Sequence, residues 1–200
     1  MATLEQLINT LWKADSSELK ERLLNILVQK SYIKGDFTLV SGKKSTFYID
    51  GKRTSLDSEG GAIISVLFFR LLKKNINAVG GLITGVCPLA SGVSQIGYLL
   101  GKNISALYVR KEPKKYGTSK WVEGPLMNGM NVAVLEDVVT TGGSSVKAIE
   151  KIKEAGCKVE QVLAIVDRNE GGREAFKKLN LEYNFLFDIN EIIEGAKNKK

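Results

Sequence analysis

The chain has 200 residues, 44% hydrophobic and 26% charged, which matches the globular average and excludes disordered, collagen-like and coiled-coil classes. It has no histidine, so a His-based triad, a zincin-type centre and a His-rich metal cluster are excluded, and proton work falls to Asp, Glu, Lys or Tyr. The formal net charge of +7 fits either an anionic partner (nucleic acid, phosphorylated small molecules, acidic lipid) or plain solubility.

Thr3-Leu-Glu-Gln6 has the form of a capping box opening a helix to about residue 13. Asp15-Ser-Ser-Glu18 opens a second, with Leu19, Leu23, Leu24, Ile26 and Leu27 at helical spacing to about Lys30. Residues 37–40 and 46–50 read as a hairpin around Ser41-Gly42-Lys43. The longest apolar stretch, 63–72, is broken by Arg70 and falls short of the ~18 residues of a membrane span, so no membrane partner is expected.

From there the pattern alternates. Asp57 caps a helix to about residue 74, and 79–84 reads as a strand. A helix over 88–100 follows, then strands at 105–109 and 132–135. Residues 144–155 form a helix ended by Gly156, 159–166 a strand, 173–179 a helix and 181–187 a last strand. Alternation of this kind predicts an α/β fold with a parallel, doubly wound sheet. No repeat or linker-like tract interrupts it, so residues 1–200 are expected to form a single domain. Cys87 and Cys157 offer no disulfide framework, which favours a reducing, cytoplasmic setting. Ligands of such sheets bind beyond the carboxyl ends of the strands, here just after Thr84, Val109, Leu135 and Val166.

One such end carries Val132-Ala-Val-Leu-Glu-Asp-Val-Val-Thr-Thr-Gly-Gly-Ser144, an apolar strand running into two carboxylates and then into a loop of small residues that opens a helix. Backbone N–H groups and the helix dipole suit a phosphate, and Gly142 and Gly143 allow its close approach. Glu136 and Asp137, acceptors only, suit ribose hydroxyls or a phosphate-bound Mg²⁺. The bland alternative is a strand-turn-helix with an exposed acidic pair. The chain has neither G-x-x-x-x-G-K-[ST] nor G-x-G-x-x-G, so an NTPase or dinucleotide enzyme is unsupported.

This string resembles the phosphoribosyl-pyrophosphate (PRPP) motif of type I phosphoribosyltransferases. Three more segments, in order along the chain, narrow the resemblance to orotate phosphoribosyltransferases. They are Phe37-Thr-Leu-Val-Ser-Gly-Lys-Lys-Ser-Thr-Phe-Tyr-Ile-Asp50, Arg110-Lys-Glu-Pro-Lys-Lys-Tyr-Gly117 and Asp167-Arg-Asn-Glu-Gly-Gly172. The first is similar to that family's N-terminal hairpin, the second to its mobile catalytic loop and the third to the segment supplying an arginine to orotate.

The resemblance implies Mg²⁺-dependent transfer of 5-phosphoribose from PRPP to orotate, in pyrimidine synthesis. It implies an N-terminal hood over about 1–55, a core over about 56–188, and no dedicated protein cage for Mg²⁺, which PRPP mainly holds. PRPP would lie along Glu136, Asp137, Val138, Val139, Thr140, Thr141, Gly142, Gly143 and Ser144. Residues 140–144 would anchor its 5′-phosphate, and Glu136 and Asp137 would hold ribose hydroxyls while positive charge develops. Lys114 would reach the leaving pyrophosphate and act catalytically with Asp137, and Arg110 and Lys111 would bind the pyrophosphate oxygens. Tyr116 stands where relatives often have histidine. Thr140 and Arg168 would bind orotate; Tyr48 is either a core aromatic or a ring near the base. In the family the 110–120 loop serves the neighbouring subunit, implying a homodimer.

Two positions depart from the pattern: Cys87, where many bacterial relatives have an acidic residue, and Val40, where some have lysine. Without the resemblance, residues 110–120 would read as a solvated basic loop and Arg168 as a surface arginine paired with Glu170. Two rival functions stand beside this one. The first is transfer to another base, opposed by Asp167, Arg168 and the hairpin. The second is a PRPP-fold regulator that binds nucleic acid, opposed by the gathering of cations at 110–120.

Overall fold

Apolar strands buried on both faces set the architecture. The computed structural model describes residues 11–38, 42, 44–113 and 120–198. The capping box at Thr3, together with Val40, Ser41, Lys43, Lys114 and Tyr116, lies outside the described residues. Helix α1 (Ser16–Ile26) runs into a π-helical turn, Leu27–Ser31, and then into the antiparallel hairpin of β1 (Tyr32–Thr38) and β2 (Lys44–Ile49). A short α2 (Lys52–Ser55) leads to α3 (Ser58–Leu71), whose first turn is capped by Asp57 accepting from the Gly60 N–H at 3.0 Å. The chain continues through β3 (Ala78–Leu82), α4 (Val86–Leu99), β4 (Ser105–Val109) and β5 (Val122–Glu123). It ends with β6 (Asn131–Val139), α5 (Gly143–Glu154), β7 (Lys158–Asp167), α6 (Gly172–Lys178), β8 (Glu182–Asp188) and α7 (Ile189–Lys197).

The main sheet has the order β5-β4-β3-β6-β7-β8 and is parallel except for β5, which runs antiparallel to β4. Strand side chains alternate between faces. Ala133, Leu135, Leu163 and Ile165 pack with α1, α3, α4 and α7, while Val132, Val134, Val162 and Ala164 pack with α5 and with Phe176 of α6. The sheet is thus filled on both sides, as parallel sheets require. The predicted α/β fold with a mostly parallel, doubly wound sheet is the fold observed.

The differences have local causes. The strand predicted over 132–135 runs on to Val139, because β6 keeps pairing with β7 as far as Val139 opposite Asp167. Glu136 and Asp137 therefore sit on the strand, not in the loop after it. The helix predicted from residue 88 starts at Val86, since Pro88 falls in the first turn, where a missing N–H costs nothing. Strand β1 begins at Tyr32 rather than residue 37, carried past Gly35 and Asp36 by a register shift between Lys34 and Phe37. Among the described residues, no helix is long and apolar enough to cross a membrane.

Candidate active site

Strand β3 is flanked by β4, which follows it in the chain, and by β6, which opens the other half of the sheet. Strand order reverses there, and a crevice opens beyond the carboxyl ends of both strands. Two backbone segments converge on Asp137 in that crevice. A Cβ placed on Gly85, just after β3, would stand 3.0 Å from Asp137 Oδ1, and one on Gly51, after β2, would stand 2.8 Å from Asp137 Cβ. Glycine at both places lets the hairpin and the β3 loop close on the carboxylate. Asp137 itself is half-buried, and its Oδ1 accepts from the Val138 N–H at 2.9 Å.

Its neighbour Glu136 is buried, and its Oε2 accepts from the hydroxyls of Ser144 at 2.6 Å and Ser145 at 2.9 Å, both in the first turn of α5. Burial, reinforced by the adjacent Asp137 charge, pushes the Glu136 carboxyl up to about 7. Gly142 precedes α5 with φ +81°, a left-handed conformation that side chains resist, and a Cβ there would meet the Phe176 ring at 3.2 Å. The amino end of α5, with its N–H groups and dipole, is tied to the end of β6 by the Ser144 and Ser145 hydroxyls donating to Glu136.

On the β7 side, Arg168 continues the ladder, its N–H donating to the Val139 carbonyl at 2.9 Å. Its side chain is 5% exposed and its Nε donates to Glu170 Oε1 at 2.8 Å. The guanidinium carbon stands 5.2 Å from the centre of the Phe47 ring on β2. Asp167, fully buried, accepts from the Asn169 N–H at 2.8 Å and from Arg173 Nε at 2.6 Å, which fixes the turn that carries Arg168.

On the β4 side, Arg110 donates through its backbone to the Trp121 carbonyl at 2.9 Å and pairs with Glu123 at 3.3 Å. Lys147 of α5 donates to the Lys111 carbonyl at 2.9 Å. The ammonium groups of Lys147 and Lys151 lie 5.4 and 4.6 Å from the centre of the Trp121 ring. Both ends of the basic segment are thus tied to each other and to the helix that opens at Gly143.

No family model matches the chain. Over 180 residues, 90% of this chain and 87% of the relative, it is 41% identical to an orotate phosphoribosyltransferase of Nostoc sp.. The chain belongs to the orotate phosphoribosyltransferase family. Among solved structures, the orotate phosphoribosyltransferase of Mycobacterium tuberculosis in complex with Fe(III) dicitrate matches with a TM-score of 0.78 at 30% identity, over 87% of this chain and 98% of that one. The same enzyme in complex with PRPP matches at 0.74 and 28%, again over 87% and 98%.

Within this family member the crevice brings together Asp137, the 140–144 loop, Arg168 and, at its β4 edge, Arg110 and Lys111. Tyr48 is not a core aromatic: it is 38% exposed and packs against Phe37, ring centres 5.6 Å apart. The inward ring of β2 is its neighbour Phe47, under Arg168. Arg168 is paired with Glu170 but buried rather than on the surface. Cys87 is half-buried at the start of α4, and burial raises its thiol above the ordinary value, leaving it a poor nucleophile. Phe47, Trp121 and Lys147 are the contributors that sequence reading did not reach; Glu170 was read as a partner of Arg168, but of a surface arginine.

Proposed function

We propose that this crevice transfers 5-phosphoribose from PRPP to orotate, releasing orotidine 5′-monophosphate and pyrophosphate. The observation that carries the reading is a helix amino end tied to the end of β6 through Glu136, next in the chain to the half-buried carboxylate of Asp137 on which Gly51 and Gly85 close. A phosphate cradle beside an acceptor suited to sugar hydroxyls fits a phosphorylated ribose. The backbone N–H groups of Thr140, Thr141, Gly142, Gly143 and Ser144 take the 5′-phosphate, while the Ser144 hydroxyl is given to Glu136, and Val138 lines the approach with the buried Val139 behind it. Asp137 holds ribose hydroxyls as positive charge develops at the anomeric carbon. Glu136, bound to Ser144 and Ser145, ties the strand to the first turn of α5, and by resemblance it too would hold a ribose hydroxyl. Arg110 and Lys111, with Lys114 and Tyr116 by resemblance, meet the pyrophosphate. Thr140 and Arg168 meet orotate, whose N1 is readily deprotonated, so positioning and charge do most of the work. Tyr48, exposed and packed on Phe37, would reach the base only from the outer side of the hairpin.

Magnesium fits this chemistry. Among the described residues no group of three or more Asp, Glu or Cys side chains forms a cage, while Asp137 offers one hard oxygen donor at the crevice. By the family resemblance the ion would be carried chiefly by substrate phosphates. When bound, magnesium neutralises charge on the leaving pyrophosphate. A homodimer sharing the 110–120 loop follows from the family resemblance, and the two free thiols favour the cytoplasm.

The test is loss of orotate absorbance with PRPP and magnesium, in the native chain and in Asp137→Asn. Turnover that falls by about a hundredfold in the variant, with its fold retained, is the expected result. Turnover unchanged in Asp137→Asn would remove Asp137 from the chemistry.

A further inference from the structure

Arg168 is a buried guanidinium whose described partners occupy only one edge and one face. Glu170, its side chain 16% exposed, takes Nε at 2.8 Å. Phe47 supports the flat face, with its own ring stacked on Tyr32 at 5.6 Å between centres. No described residue hydrogen-bonds to the two Nη groups. A guanidinium presents two kinds of edge to a carboxylate, one through Nε and one Nη, the other through both Nη groups. Glu170 blocks the first. A carboxylate so close to an arginine that must take up an anion also weakens its attraction for that anion, so Glu170 does not serve to concentrate positive charge.

We propose that Glu170 is a positioning residue: by holding Nε it turns the paired Nη edge of Arg168 toward the base, and so favours a base that carries a carboxylate. The inference rests on the reading of the crevice as an orotate site and adds the residue that sets its selectivity. Phe47 limits the remaining freedom by fixing the plane of the guanidinium. The sequence places Glu170 only two residues beyond Arg168, and the turn held by Asp167 brings it back alongside.

Steady-state kinetics of the full chain with orotate and PRPP test this, in the native protein, Glu170→Leu and Glu170→Gln. Leucine has similar bulk but no acceptor; glutamine keeps an oxygen for Nε and loses the charge. The Leu variant is expected to raise KM for orotate about tenfold or more while KM for PRPP stays within about twofold. The Gln variant is expected to return KM for orotate to within about threefold of the native value. An unchanged KM for orotate in the Leu variant, an equal rise in both KM values, or a Gln variant as impaired as Leu would each overturn the proposal. Glu170→Ser, too short to reach Nε, replaces the Leu variant if that one does not fold, and carries the same expectations. A native chain inert with orotate would overturn the orotate reading and this inference with it; an active native chain with an unmoved Leu or Ser variant would overturn the inference alone.

Discussion

At the residue scale, Glu136 makes the site's design testable by pH. Its carboxyl is held at about 7, against 4.5 ordinarily, chiefly by burial and then by the Asp137 charge. A carboxyl easier to protonate folded than unfolded supports the fold fully below pH 4.5 and loses that support as pH rises through 7. Glu136→Gln keeps an oxygen for both serine hydroxyls and removes the titration. Unfolding by denaturant is therefore expected to show the native chain losing stability relative to the variant across that window, by on the order of 3 kcal/mol. Parallel curves would contradict it. Asp137 and Arg168 were legible because a compact motif and a short Asp-Arg segment carry them. Phe47 was not, because it acts through a partner distant in the chain, and the Glu170 pairing was legible only as that of a surface arginine, not of a buried one. Phe47 and Tyr48 are neighbours on β2 and face opposite sides, and alternation alone does not say which side meets Arg168.

At the element scale, the strand-loop-helix unit from β6 to α5 forms one half of the site. Gly142 is its joint, left-handed and packed on Phe176. Gly142→Ala is expected to cost about 1–2 kcal/mol in stability and to raise KM for PRPP more than KM for orotate. Equal or absent changes in the two KM values would show that the joint does not shape the phosphate cradle. Most helices and parallel strands were legible from periodicity and caps, Asp57 among them. The two-residue β5 is too short to leave a pattern, and the π-helical turn at Leu27–Ser31 continues an apolar spacing that reads as plain helix. Helix α7 was readable but unread: Asp188 and Glu191 form a full capping box.

At the scale of the whole molecule, the order of the strands places the chemistry. The reversal between β3 and β6 puts the Gly85 loop, Asp137 and the α5 amino end at one crevice, with the hairpin closing from above through Gly51 and Phe47. The basic segment joins it from β4, its ends tied by Trp121 and Lys147. Part of the positive charge read from composition, on Arg110 and Lys111, thus stands at the β4 edge of that crevice. The most direct measurement is PRPP-dependent pyrophosphate release with magnesium, offered orotate, uracil, adenine or hypoxanthine in parallel, in the native chain and in Arg168→Leu. Release with orotate alone, with KM for orotate raised about tenfold or more in the variant, is the expected result. Release with another base, or an Arg168→Leu variant that handles orotate as the native chain does, would contradict it.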